Sequence, residues 1–425
     1  MNLKLATFGL TAMALVTACS NDEIEKINLG NEITFNTSVS TRAAEMTTDK
    51  LSEFNIWADA EGYKQLFISG EKATKPANAN YFSLGHAIFW PSEVASIHFW
   101  AVSPTDVTVT TSDLKPQILG FTPAAEAENQ VDLITAYTKA MRGDGTNVNI
   151  NFHHALSQIV VRAKAGVDGD ETKSVMIKGA WIVNVKPSGN LSFVPEGPMT
   201  DVTDDASTDP SDVFIPEKHM LWHATDNKTI YGREFTGTEP MKLSHTLQDL
   251  LSFGKNSSNL MLVPQQLDTW NLNDNDDKST NAAGGAYILL LCRVEAVHNG
   301  EEHPGGADAI HAEDGKHYHQ LFPYTTKFDR DEYGYTCVPI NDKWEPGKKY
   351  VYNLQFCGAT SGAGVYPPKG DLTTFNLPDG SGKYIKTIPT VSPAKGPGDP
   401  VLDNPINFTV KVEEWTEEWK NGTMK

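Results

Sequence analysis

Along most of the chain, apolar residues alternate with polar ones or form short runs, and the spacing typical of long helices is hard to find. Glycine, proline, asparagine and aspartate bound these runs, as they do at turns between strands. The predicted strands of the first half cover residues 33–39, 54–58, 97–102, 148–152, 158–163, 176–185 and 190–194. Those of the second half cover 260–263, 287–297, 335–339, 349–356 and 408–415. The pattern predicts an all-β protein built from β-sandwiches.

Two stretches rich in turn-forming residues divide this pattern. Residues 195–212 are rich in proline and aspartate, which indicates a linker between two sandwiches in series. We expect the amino-terminal sandwich over residues 43–196 and the carboxy-terminal sandwich over 197–425. A glycine- and proline-rich stretch, 358–405, separates the last strand from the others, so that strand has enough chain to dock at a distance.

The first residues have the character of an export signal. Lys4 precedes an apolar run, Leu5 to Val16, that is too short to span a bilayer. The following Val16-Thr17-Ala18-Cys19 resembles the lipobox of bacterial lipoproteins. We therefore expect residues 1–18 to be a lipoprotein signal peptide and Cys19 to carry the lipid. The alternative is an ordinary secretory peptide that is cut elsewhere.

The net charge limits the kinds of partner that the chain can bind. The formal net charge of −19, without a local basic patch, argues against binding to nucleic acid or to anionic lipid surfaces. We expect contact with a membrane only through the lipid on the precursor.

Beyond Cys19 the chain has only Cys292, Cys337 and Cys357, so disulfides cannot be its main scaffold. These three are either buried thiols or include one bridge, for which Cys337 and Cys357 are the best pair.

Several segments resemble the fimbrillin family, whose members are subunits of donor-strand polymerised pili on certain Gram-negative anaerobes. The first match is a strand that runs into a Thr-Arg-Ala processing site, and the most specific one is a Phe-x-His-Ala-Leu core followed by an apolar strand. The matching segments are Ile33 to Ala43, Phe89 to Pro91, Ile97 to Pro104, Phe152 to Val161, Leu260 to Gln265 and Trp344 to Tyr352. The loops differ most, notably the histidine-rich segment 296–320.

The resemblance implies two transthyretin-like β-sandwich domains and a lipoprotein precursor carried to the outer membrane and cell surface. An Arg-specific protease would cut between Arg42 and Ala43 and remove the propeptide, residues 19–42, with the first strand. The groove left behind would then be filled by a strand from another fimbrial subunit. It implies no cofactor, and it leaves the surface receptor unknown.

Two strands carry the residues that this scheme needs. Ile33, Phe35 and Val39, with Thr37 between them, alternate with polar residues, which indicates a strand with one buried face whose loss would leave a groove. Near the other end, Ile406, Phe408, Val410 and Val412 alternate in the same way and form a candidate donor strand. Alternation alone does not show whose core this strand enters, so an ordinary last strand of its own domain is the equal alternative.

One segment concentrates side chains that bind metals. It holds His298, His303, His311, His317 and His319. His317 and His319 could share one face of a strand, but no spacing typical of a zinc site is present, and a polar surface loop is the stronger interpretation. The acidic run 273–277 lacks the glycine and the distal glutamate of a calcium loop, and we interpret it as a solvated turn.

Enzyme motifs are likewise missing from the sequence, so we expect a protein that is not an enzyme.

The leading hypothesis is a pilus subunit that serves surface adhesion. The alternative from a different class is a non-polymerising surface lipoprotein that binds glycans on aromatic rings, although most of those rings are better explained as core. Its candidate rings are Trp57, Trp90, Trp100, Trp181, Trp222, Trp270 and Trp344. A surface hydrolase is a third and weaker hypothesis.

Overall fold

The computed structural model describes residues 32–39, 50–166, 172–193, 216–235, 239–251, 259–270, 284–299, 310–313, 315–323, 330–368, 396–402 and 404–415. The strands of the first half are β1 (Thr34–Val39), β2 (Glu53–Ala60), β3 (Ile68–Thr74), β4 (Ser96–Ser103), β5 (Val109–Ser112), β6 (Lys115–Phe121), β7 (Ile134–Met141), β8 (Asn147–His154), β9 (Ser157–Ala165), β10 (Lys173–Val185) and β11 (Gly189–Phe193). Those of the second half are β12 (Met220–Ala224), β13 (Thr229–Glu234), β14 (Met241–Lys242), β15 (Gln248–Asp249), β16 (Leu260–Leu262), β17 (Gln265–Gln266), β18 (Tyr287–Asn299), β19 (Ile310–Glu313), β20 (Lys316–Phe322), β21 (Gly334–Pro339), β22 (Lys343–Trp344), β23 (Lys348–Phe356) and β24 (Asn407–Glu414).

The helical elements that lie wholly within the described residues are single turns. These are α1 (Pro216–His219) and two 3-10 turns, Ala127–Asn129 and Arg142–Asp144. No helix among them is both long and apolar enough to cross a lipid bilayer. The predicted all-β class with β-sandwich packing is therefore confirmed, and every strand predicted from the sequence is present.

The amino-terminal sheet has the order β1-β8-β7-β4-β2-β3. Alternate residues of β2 and β4 enter different clusters, because side chains on a strand point to opposite faces. Phe99 of β4 packs in one cluster with Phe35 and Phe152, whereas Trp100 packs on the opposite face with Ile118 of β6. That second face lies against a four-stranded sheet of order β12-β11-β6-β5. The arrangement is a sandwich of two sheets.

The second core lies between two further sheets. One contains β13, β10, β18, β20 and β19, with β14 and β21 paired at its sides, and the other has the order β15-β9-β23-β24 with β16 beside β9. β10 and β18 are long and mostly apolar, and both of their faces are covered over most of their length. On β18, Ile288 and Leu290 face the core shared with Tyr352 of β23, whereas Leu289 faces the cluster that contains Trp181.

Strand pairing crosses the expected domain boundary at residue 196. β9 and β10 precede residue 196, yet they pair with β23 and β18 of the second half. β11 pairs with β6 of the amino-terminal sandwich, and β12, which follows residue 196, pairs with β11. The first sandwich is therefore not a continuous stretch up to residue 196, since hydrophobic periodicity identifies strands but not their partners.

Candidate functional site

β1 belongs to the six-stranded amino-terminal sheet, and its apolar face is covered by the cluster on the side of that sheet away from the four-stranded sheet. Phe35 is fully buried, and Ile33 and Val39 are nearly so. The Phe35 ring packs edge-on against Phe54 and Phe99, with ring centroids 6.3 and 5.9 Å apart. The expected buried face of this strand is confirmed, and Phe35 occupies its centre.

Both edges of β1 are hydrogen-bonded. Along one edge it runs parallel to β8, from Thr34 opposite Asn147 to Val39 opposite Phe152. Along the other edge, Phe35 and Phe82 exchange two backbone hydrogen bonds, of 2.9 and 2.8 Å. β1 thus fills a slot between β8 and the segment around Phe82, and without it both walls would expose unpaired backbone groups.

The outer face of the β1–β8 pair carries a row of side-chain hydrogen bonds. Thr34 Oγ1 donates to Asn147 Oδ1 at 3.3 Å, and Asn36 Nδ2 donates to Asn149 Oδ1 at 3.3 Å. Ser38 Oγ donates to Asn151 Oδ1. We call Asn147, Asn149 and Asn151 the asparagine ladder. The sequence shows the alternation of asparagine with apolar residues on β8, but it does not show the partners of these asparagines, because they lie far away along the chain.

β24, the candidate donor strand, is less well covered than β1. It pairs antiparallel with β23 through eight residue pairs, and it is the last strand of its sheet among the described residues. Phe408 is 36% exposed and Val412 is 53% exposed, while Val410 is only partly buried. The candidate donor strand therefore docks on its own chain, but among the described residues its apolar face is only partly covered.

The two ends of β24 are better anchored than its middle. Ile406 is buried in the second core, and Trp415 is buried against the amino-terminal sandwich. The Trp415 ring stacks on the His154 ring, with centroids 3.8 Å apart and planes 3° from parallel. His154 Nδ1 lies 2.7 Å from Asp132 Oδ2 in a fully buried pair. His154 ends β8, so this stack connects the end of β24 to the strand that holds β1.

The histidine-rich segment forms a small cluster at one end of a sheet. His298 on β18 lies opposite His317 on β20, and the Nε2 atoms of His298 and His319 are 2.7 Å apart. His317 and His319 share a face of β20, as expected. Within the described residues, no group of three or more histidine, cysteine, aspartate or glutamate side chains could hold a metal ion. The acidic run 273–277 and the His303 position lie outside the described residues.

The three cysteines beyond Cys19 are buried thiols. Cys337 and Cys357 belong to different clusters, so the proposed bridge between them does not form. Burial raises the pKa of the Cys292 thiol, and the nearby Cys357 raises it further. These thiols act as small apolar residues, which was the alternative interpretation.

The candidate aromatic platforms are core residues, apart from one. Trp222 is half-buried, and its indole nitrogen donates to the Ala155 carbonyl oxygen at 2.7 Å. The buried rings are Trp57, Trp90, Trp100, Trp181, Trp270 and Trp344. A buried ring offers no stacking surface to a sugar, so these six do not support a glycan-binding face.

Three predicted site residues lie outside the described residues. They are the lipidation site Cys19 and the two residues of the processing site, Arg42 and Ala43. The segment that contains Arg42 follows directly after Val39, the last residue of β1. Their roles remain predictions from the sequence.

Comparison with known proteins gives a family match and several distant structures. A family model described as fimbrillin-like matches residues 41–287. A fimbrial protein from Bacteroides vulgatus has 15% identity and a TM-score of 0.45, over 90% of this chain and 100% of that one. A candidate cell adhesion protein from Bacteroides ovatus has 10% identity and a TM-score of 0.40, over 91% and 98% of the two chains. One from Parabacteroides distasonis has 10% identity and a TM-score of 0.42, over 91% and 100%. No curated protein matches the chain significantly in sequence.

Proposed function

This chain belongs to the fimbrillin-like family, whose model matches more than half of it, and we propose that it is a structural subunit of fimbriae. In this proposal the precursor is exported as a lipoprotein acylated on Cys19 and carried to the outer membrane. An Arg-specific protease then cuts after Arg42. The trimmed subunit polymerises with other subunits by β-strand addition and serves adhesion at the cell surface.

The observation that carries the proposal is the position of β1 in a slot with two hydrogen-bonded walls. Burial of a large apolar side chain contributes about 1.5–3 kcal/mol, so Ile33, Phe35 and Val39 together contribute roughly 5–9 kcal/mol. A whole domain is stable by only about 5–15 kcal/mol. Loss of β1 would therefore remove much of the net stability, and an incoming strand of the same pattern would restore it.

β24 has the properties of a strand that can be donated. Its middle is only partly covered by apolar side chains. Its pairing with β23 and the burial of its anchors, Ile406 and Trp415, are therefore the main contacts that must be broken to release it. In a groove like that of β1, Phe408 and Val412 would gain burial that they lack on their own sheet. The exchange is favourable when this new burial outweighs the free energy of separating β24 from β23.

Controlled cleavage tests the proposal. The full chain is treated with an Arg-specific protease under native conditions, and assembly is followed on native gels and by electron microscopy. We expect a monomer before cleavage and a ladder of polymers after it, with Ala43 as the new amino terminus. The Arg42→Ala variant is the matched control and stays monomeric. Trimmed protein that remains monomeric would contradict polymerisation by strand addition.

Processing in the cell gives a second test. In the native host, we expect surface fimbriae to contain chains that begin at Ala43. The Arg42→Ala variant should accumulate as a lipidated precursor that retains Cys19, because the lipid and the blocking strand lie on the same side of the cut. Mature fimbriae assembled from this variant would rule out Arg42 as the processing site.

A further inference from the structure

The asparagine ladder can determine the register of a strand in the β1 slot, which apolar burial alone does not determine. A slip of one residue in a strand turns its apolar face outward, and burial prevents it. A slip of two residues keeps the apolar face inward. Registers that differ by two residues must therefore be distinguished by individual side chains.

Two features of the β1 slot make that distinction. Phe35 fits between Phe54 and Phe99, and a slip by two residues would place Thr37 or Ile33 there. On the outer face, each ladder asparagine accepts a hydrogen bond from the β1 side chain directly opposite it. Both features select one alignment of the strand in the slot.

β24 repeats the β1 pattern position by position. Ile406, Phe408 and Val412 stand at the same spacing as Ile33, Phe35 and Val39. Between them, Asn407, Thr409 and Lys411 take the places of Thr34, Asn36 and Ser38. All three replacements can donate a hydrogen bond, which is what the ladder oxygens require.

The charged end of β24 fits the same alignment. In the free subunit, Lys411 Nζ contacts Glu413. If Asn407 lies opposite Asn147, Lys411 lies opposite Asn151 and Glu413 lies opposite His153, the next outward-facing residue of β8. This alignment places no like charges directly opposite each other, so charge repulsion does not oppose it.

With β24 of another subunit in the emptied slot, as in the proposed function, we propose that the asparagine ladder fixes the register of this strand, with Asn407, Thr409 and Lys411 opposite Asn147, Asn149 and Asn151. The strand then runs parallel to β8, as β1 does. This inference rests on the proposed function, since the slot must first be emptied by cleavage.

Disulfide trapping tests the register. The full chain carrying Asn149→Cys is cut after Arg42, which also removes Cys19, and is mixed with synthetic peptides of residues 405–415. The peptides carry one cysteine each, in place of Asn407, Thr409 or Lys411. Only residues directly opposite each other bring their Cα atoms within disulfide range, so we expect the Thr409→Cys peptide to cross-link at least about fivefold faster than the others. The native thiols are buried and do not compete.

The outcomes separate the two proposals. A peptide that does not bind trimmed protein contradicts strand addition itself. A peptide that binds but cross-links best through position 407 or 411, or equally through all three, leaves strand addition intact and overturns the register. Uncut protein, in which β1 still fills the slot, is the control and should give no cross-link.

A matched pair of peptide variants tests the ladder hydrogen bond. Thr409→Val keeps the shape of the side chain and removes the donor, and Thr409→Ser keeps the donor. We expect Thr409→Val to bind trimmed protein roughly twofold to tenfold more weakly than the unchanged peptide, and Thr409→Ser to bind within about twofold of it. Equal binding of all three would show that the ladder does not contribute to recognition.

Discussion

β1 and β24 have nearly the same sequence pattern but very different surroundings. β1 lies between two hydrogen-bonded neighbours, and its central Phe35 is completely buried. Among the described residues β24 has one neighbouring strand, and its equivalent Phe408 is 36% exposed. Periodicity therefore determines which residues share a face, whereas the neighbours determine whether that face is covered. The equivalent positions make paired substitutions a direct test of this difference.

The largest difference is expected for the two phenylalanines. Phe35→Ala should lower the free energy of unfolding by about 3–5 kcal/mol, because it leaves a cavity in the amino-terminal core. Phe408→Ala should lower it by about 1 kcal/mol or less, because the ring is already partly in water. Urea denaturation of the uncut chain measures both. Equal losses would mean that β24 is packed as tightly as β1.

Trp415 is the exception on the β24 side. Trp415→Ala should cost about 3 kcal/mol, because it removes a buried ring and exposes the His154–Asp132 pair. Amide hydrogen exchange should become faster across residues 407–414 than across 34–39, since only β24 loses its anchor. Trp415→Phe, which keeps a ring on His154, is the control. Equal acceleration in the two strands would contradict anchoring by this residue.

A hydroxyl placed at the last apolar position of each strand should have a smaller effect. Val39→Thr buries a hydroxyl without adding volume and should cost about 1–3 kcal/mol. The same change at Val412, which is 53% exposed, should stay within about 0.5 kcal/mol. Thermal unfolding of the two variants makes the comparison. A larger loss at Val412 would reverse the assignment of the covered face.

The smallest effect concerns the polar faces. Asn36→Ala removes one hydrogen bond to the asparagine ladder and should lower stability by about 0.5–1 kcal/mol. Thr409→Ala, at the equivalent exposed position of β24, should change the stability of the free subunit by less than about 0.5 kcal/mol. Denaturation midpoints resolve the difference. If Asn36→Ala and Thr409→Ala cost the same free energy of unfolding, the hydrogen bond to the ladder stabilises the uncut chain no more than an exposed polar side chain does.

The sequence predicts the strongly apolar strands and misses the weak ones. β4 and β18 are long enough and apolar enough to be recognised, whereas β7 consists largely of threonine and alanine around Ile134. β3 is interrupted by Gly70, whose φ of +68° favours glycine and whose added Cβ would lie 3.1 Å from the Trp57 ring. Glycine breaks the alternation at this position because the neighbouring strand brings a large ring close to its backbone.

The candidate site is predictable only where it is local. The buried face of β1 and the strand nature of β24 follow from alternation within a few residues. The pairing of Asn149 with Asn36 and the contact of Trp415 with His154 join residues far apart in the chain, and no local pattern contains them. The family motif around His154 is nevertheless explained, because its histidine is a buried packing residue paired with Asp132.

The stack of Trp415 on His154 also has an optical consequence. The emission of an indole depends on the polarity of its surroundings and on the rings it contacts, and Trp415 is buried in this stack. Release of β24 should therefore change the emission of one of the nine tryptophans of the chain, and Trp415→Phe should abolish that change. Stopped-flow emission would then time the departure of the strand from its own subunit without any added label.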